Sequence, residues 1–153
     1  MPREVLETSS IPDKAWQSSP PEQYTRRSVY IHLKRSLRVP LLTDFDQADT
    51  DTSCPVRFVT TQPLQALNLM NSQFVDEQAA VFARRLETEQ ADVAGRVRLA
   101  LNLVTGRAPD DGEVNEGLAF IDAMKSRHGL DDAKALERFA LLALNLNEFV
   151  YLD

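Results

Sequence analysis

The run Phe139-Ala-Leu-Leu-Ala-Leu144 is apolar around the whole circumference of a helix. A helix without a polar face is stable in water only when other helices enclose it. The sequence before it supplies those helices. Ser72 stands as an N-cap ahead of a helix to about Glu89, with Phe74, Val75, Gln78, Ala79, Phe82 and Leu86 along one face. Asp92 to Thr105 carries the stripe Val93, Val97, Ala100, Leu101 and Val104, and Gly106 is placed to stop it. After the turn RAPDD, a helix from about Asp111 to Arg127 presents Val114, Leu118, Ile121 and Met124, ended by His128-Gly129. Asp131 or Asp132 then caps the last helix, which is expected to put Phe139, Leu142, Ala143 and Leu146 in the middle of the core, with Phe149 and Tyr151 closing one end. Thr61 as N-cap, Pro63 in the first turn and the spacing of Leu64, Leu67 and Met70 predict a further short helix. The expected fold is mainly α: a compact bundle of about four to five helices, preceded by an irregular N-terminal arm with at most one or two short strands.

The arm divides by composition. Residues 1–25 combine Pro12, Pro20 and Pro21 with serines, which favours extended backbone, and Trp16 is the residue expected to anchor this stretch. Residues 26–62 form an irregular, motif-rich segment expected to pack on the body, and 63–153 form the bundle, one structural domain in all. Ser28 to Leu33 alternate Val29, Ile31, Leu33 against Tyr30 and His32, as a half-buried strand does. Phe58-Val59-Thr60 is its expected partner, and a helix running to Arg38 is the competing reading. A chain of 153 residues, 43% hydrophobic, can bury one modest core. A net charge of −6 argues against a general nucleic-acid or anionic-membrane binder, since both need a basic surface. No apolar run is long enough to span a bilayer, and the N-terminus lacks the apolar centre of a signal peptide. The lone Cys54 excludes an intramolecular disulfide and any multi-cysteine metal or haem site, so no cofactor is expected in this chain.

The polar residues that could carry chemistry lie mainly before residue 74. TDFDQADTD holds Asp44, Asp46, Asp49 and Asp51, enough carboxylate for a hard cation, but it lacks the glycine and the closing glutamate of the calcium loop. Asp side chains that cap turns are the expected use. His32 and Cys54 lack the strand–turn–helix elbow of a nucleophile site. His128 at a helix C-terminus is explained by capping. Gln62, Gln65, Asn68, Asn71 and Gln73 form a second polar concentration around the short helix. Gln65 and Asn68, at i and i+3, could hydrogen-bond a sugar or peptide. The expected use is to clamp backbone groups of the irregular segment, since buried N–H and C=O groups must be satisfied somewhere.

The runs RRSVYIHLKRSL, FDQADTDTSCPVR and TTQPLQALNLMNSQF, then the AxxFARRL helix and the terminal NEFVYLD, resemble the C-terminal part of the planctomycete-type domain of unknown function 1553 family. The matching positions include Arg26, Arg27, Tyr30, Arg35, Asp46, Asp49, Cys54, Arg57, Thr61, Gln65, Asn71 and Phe74. The resemblance implies a larger, exported bacterial parent, often with a cytochrome-c-like domain, although no Cys-x-x-Cys-His is present here. The last third also resembles small helical repeat modules that mediate assembly. Two functions are therefore expected to compete. One is a non-catalytic helical interaction or scaffold module, partnered by upstream domains of a parent protein or another subunit, with no nucleic acid and no membrane insertion. The other completes a ligand or metal site, polysaccharide-related or redox-linked, together with an upstream domain, using Asp46 and Asp49 as ligands or acid/base groups and Arg27 and Arg57 as anion clamps.

Overall fold

The computed structural model describes residues 19–33, 39–48 and 63–151. The chain divides into two compact units, Met1–Gln65 and Ala66–Asp153, with the division falling inside a helix. Among the described residues there are seven α-helices: α1 (Pro40–Asp44), α2 (Pro63–Met70), α3 (Gln73–Glu89), α4 (Val93–Thr105), α5 (Asp111–His128), α6 (Asp132–Ala143) and α7 (Asn147–Val150). The fold is mainly α, as expected.

In the second unit α6 is the hub, packing on α3, α4 and α5, while α4 also meets α7. Ala135, Leu136, Phe139, Ala140 and Ala143 of α6 are all buried. They face Ala79, Ala83 and Leu86 of α3, Val97 and Ala100 of α4, and Val114 and Ile121 of α5. Alanines supply much of this core, so the helices approach closely and a few larger side chains fill the gaps between them. Phe139 is the largest of these, with its ring centroid 6.5 Å from that of Phe120.

The helix ends follow the local chemistry read from the sequence. Ser72 accepts from the Val75 N–H, Asp92 from Gly95 and Asp131 from Lys134. Gly106 and Gly129 adopt the left-handed conformation, with φ of 72° and 66°, where any other side chain is strained. At Asp110 the structure adds a full capping box: Asp110 accepts from the Glu113 N–H, and the Glu113 carboxylate accepts from the Asp110 N–H.

Two expectations are corrected. Ser28–Leu33 is not a strand. Ser28–Tyr30 forms a single 3-10 turn, in which Tyr30 donates to Arg27 O and Ile31 to Ser28 O. Val29 is 77% exposed and Tyr30 66%, so the alternation separates no inside from outside. An isolated strand leaves a row of backbone groups without a ladder, and the turn satisfies some of them locally. The expected partner Phe58–Thr60, Trp16 and the N-cap Thr61 lie outside the described residues. The last helix is also shorter than its apolar run. It ends at Ala143, leaving Leu142 38% exposed and Leu146 half-buried as the residue before α7, while Phe149 is exposed. Phe139 and Ala143 are buried as expected, and Ala135, Leu136 and Ala140 complete the stripe, which keeps to one face of a 3.6-residue period. The short helix expected from Leu64, Leu67 and Met70 is present, and these three side chains are exposed on it.

Gly117 shows how tight the centre is. A Cβ there would sit 2.7 Å from Val97 Cγ1 and 3.0 Å from Phe139 Cε2. The Val97 methyl belongs to a fully buried β-branched side chain with no room to swing away. Gly117→Ala is therefore expected to destabilise by about 1–2 kcal/mol, because overpacking outweighs the roughly 1 kcal/mol that alanine gains in helix propensity. Urea unfolding of the variant checks this; a stabilised protein would show that the three helices can move apart at no cost.

Candidate interaction surface

The helix α1 ends with a signature that explains one of the sequence's acidic residues. The Asp46 N–H donates to Thr43 O and the Gln47 N–H to Leu42 O. Asp46 itself has φ of 56° and is the non-glycine residue found in this region among the described residues. This is a Schellman stop with aspartate where glycine is usual, a conformation that Asp tolerates because its short polar side chain bonds locally. Asp46 thus ends a helix. Asp49, like Arg35, Cys54 and Arg57, lies outside the described residues.

The last carbonyls of a helix have no partner within it. That of Asp44 accepts a hydrogen bond of 2.7 Å from Gln65 Nε2, across 21 positions of chain. Gln65 is 2% exposed and is the buried polar residue of the core set. The expected amide clamp is present, and it joins α1 to the first turn of α2. The other amides act locally: Asn71 Nδ2 donates to Leu67 O and Gln73 to Glu77. Asn68 is exposed while Gln65 is buried, so these two do not share a ligand-facing side.

Of the other motif residues, Arg26 and Tyr30 meet. The guanidinium carbon lies 4.6 Å from the ring centroid, within reach of a cation–π contact. Both residues are exposed. Arg27 precedes the 3-10 turn and makes no side-chain cap there. His32 is exposed beyond the turn.

With Gln65 turned inward, α2 presents Leu64, Leu67 and Met70 at 59%, 52% and 55% exposure. Phe74, at the start of α3, is exposed as well. Scattered exposed leucines need no explanation, but three large apolar residues on an eight-residue helix that carries no charge are unusual. Indeed residues 58–75, between Arg57 and Asp76, form the longest uncharged run in a chain that is 26% charged.

Elsewhere in the second unit, several charged side chains pair with one another. A cavity of about 180 Å³ is lined by Leu118, Ile121, Arg96, Asp122, Lys125 and Asp132 among others. Arg96 donates to the carbonyls of Gln90 and Ala91, and Lys125 pairs with Asp132 at 2.6 Å. The Asp132 carboxyl is held below its ordinary value by that lysine, and Lys125 is raised in return. Arg107, in the turn before α5, makes a bidentate contact with Glu113 at 2.6 and 2.9 Å and reaches Glu148 of α7 at 3.2 Å. The stripes and caps of the sequence do not point to this cluster; the spacing Asp110-x-x-Glu113 is its one local signal. Among the described residues no group of three or more His, Cys, Asp or Glu is gathered to hold a metal ion, and no helix is long and apolar enough to cross a membrane.

These features define a mainly helical chain in which the short helix α2 presents an exposed, uncharged apolar face. Residues 3–121 match the family described as PSD1, protein of unknown function (DUF1553), and the chain belongs to that family. The match ends in α5, so the terminal Asn-Glu-Phe-Val-Tyr-Leu-Asp lies outside it. No curated protein and no solved structure matches the chain.

The clamp and the ion cluster each yield a test. Gln65→Leu should lower stability by about 1–3 kcal/mol by stranding the Asp44 carbonyl. Gln65→Glu should be worse at neutral pH and recover partly in acid, where a protonated carboxyl can donate; pH-resolved urea unfolding reads both, and a pH-independent loss would mean packing rather than a hydrogen bond. Glu113 is depressed from 4.5 to about 2, first by the Arg107 hydrogen bond and then by the Asp110 N–H. Its contribution is therefore complete above about pH 4.5 and fades as pH falls toward 2. The difference in melting temperature between the wild type and Glu113→Gln should shrink through that window; a difference constant with pH would deny the pairing.

Proposed function

We propose that this chain is a non-catalytic helical interaction module, and that the apolar side of α2 is its contact face. The single observation that carries the reading is that Leu64, Leu67 and Met70 are exposed on a helix whose one buried side chain, Gln65, fixes it in place. A helix held this way presents side chains at i, i+3 and i+6, close to the spacing with which helices enter apolar grooves. The module reading also draws support from Asp46, which already serves as a helix stop, and from the ion pairs that engage the cavity's lysine and one of its aspartates. In the setting implied by the family resemblance, the partner is an upstream domain of a larger bacterial protein or another subunit. The planctomycete-type, cytochrome-c-associated context is part of this proposal.

The full chain is expected to bind the dye anilinonaphthalene sulfonate while folded. The double variant Leu67→Gln, Met70→Gln should lose at least about half of that fluorescence, yet melt within about 2 °C of the wild type, as exposed positions do. A large drop in melting temperature would make these residues part of the protein's own packing and remove the contact face.

A further inference from the structure

We infer that α7 is a detachable strap over the C-terminal end of α4, held closed by Arg107 and able to open while the rest of the bundle stays folded. The inference is independent of the α2 face. Arg107 has a fixed side and a loose side. Its backbone N–H donates to Thr105 Oγ1 at 3.4 Å, in the turn that Gly106 sets with its φ of 72°. Its guanidinium gives two bonds to Glu113, at 2.6 and 2.9 Å, and the Glu113 carboxylate is itself tied to the Asp110 N–H at 2.8 Å. Glu148 of α7 receives one bond, at 3.2 Å. A single long bond gives way before a bidentate pair of short ones, so this group parts between Arg107 and α7.

Little else fastens α7. It has four residues, its N-cap Leu146 makes no side-chain bond, and none of its residues is buried. The helix it packs on is α4. The link that leads into it also carries a cost for staying closed. Asn145 Nδ2 donates to Leu141 O at 2.7 Å, while its Oδ1 is buried and no donor among the described residues reaches it. A buried acceptor without a donor has lost its hydration for nothing in return, and movement of the link lets water reach it. Closure is therefore finely balanced, and the half-exposed Arg107–Glu148 pair tips it. Opening uncovers Val104, which lies in the last turn of α4 and is buried outside the central cluster.

Amide hydrogen exchange of the full chain, followed by NMR at about 20 mM and about 500 mM sodium chloride, tests the inference. The strap is read at the Phe149, Val150 and Tyr151 amides, which bond to Leu146 O and Asn147 O, and the bundle at the amides of α6. High salt should speed exchange of the three strap amides about two- to fivefold, the scale of an exposed ion pair, and leave α6 unchanged. Glu148→Gln should give a similar rise at low salt and remove the salt response. In a chain carrying Cys54→Ser and Val104→Cys, reaction of the new thiol with a maleimide should quicken under the same two changes. Strap amides that ignore both salt and Glu148→Gln, or that exchange only in step with α6, overturn the inference. If the amides respond but the thiol at position 104 does not, the placement of the strap over Val104 is overturned.

Discussion

The bundle depends on one close approach. Gly117 of α5 sits where Val97 of α4 and Phe139 of α6 converge, with no room for a methyl group among them. Because that point is a glycine, α5 can lie near α4 and α6, and the surrounding alanines extend the same close spacing along α3 and α6. Dispersion attraction between any two atoms at such distances is weak, but it accumulates over every turn that stays in register. The matched family span ends at Ile121, yet the buried residues of α3, α4 and α5 before it pack on α6 beyond it. The span's apolar stripes are therefore completed by a helix outside it.

How much of this was legible depends on the range of the physics. Ser72, Gly106 and Gly129 could be placed from the sequence, and the last cap narrowed to Asp131 or Asp132, because a cap is settled within four residues. The central role of the last helix was legible too, because its long apolar run marks it as the helix the others pack on, even though one face of it stays partly exposed. Of the residues that face inward, Phe139 and Ala143 were legible and the others were not. Alanine is weakly hydrophobic and common on exposed helices, so Ala135 and Ala140 gave no signal against Leu142 and Leu146, and only the packing partners decide between them. The strand expected at Ser28–Leu33 failed for a related reason: alternation is a signal of burial on a sheet, and without a partnered sheet it carries no structural meaning.

In the candidate site the chemistry of the amides was legible but its partner was not. A concentration of Gln and Asn beside an irregular segment implies that some backbone group there needs a donor. That the group is the Asp44 carbonyl, 21 positions away, depends on how the chain folds back. Asp46 shows the same limit from the other side: turn chemistry was the expected use of the acidic loop, but only its φ of 56° shows which backbone position this residue serves.

The helical period of Leu64, Leu67 and Met70 predicts a helix, and burial is the usual corollary of such a stripe. Here the two separate. The helix forms because Pro63 suits its first turn and Gln65 ties that turn to α1. Its stability thus comes from its polar anchor, and the apolar face is left without a duty inside the described residues. Exposed apolar surface is costly to keep in water, and this one coincides with the longest uncharged run in an acidic chain. A surface that needed only solubility would carry a lysine or a glutamate among those positions, as every other helix longer than α2 carries charge. In the interaction reading proposed above, the absence of charge and the anchor at Gln65 would be one property: a face kept in place and kept neutral so that another apolar surface can cover it.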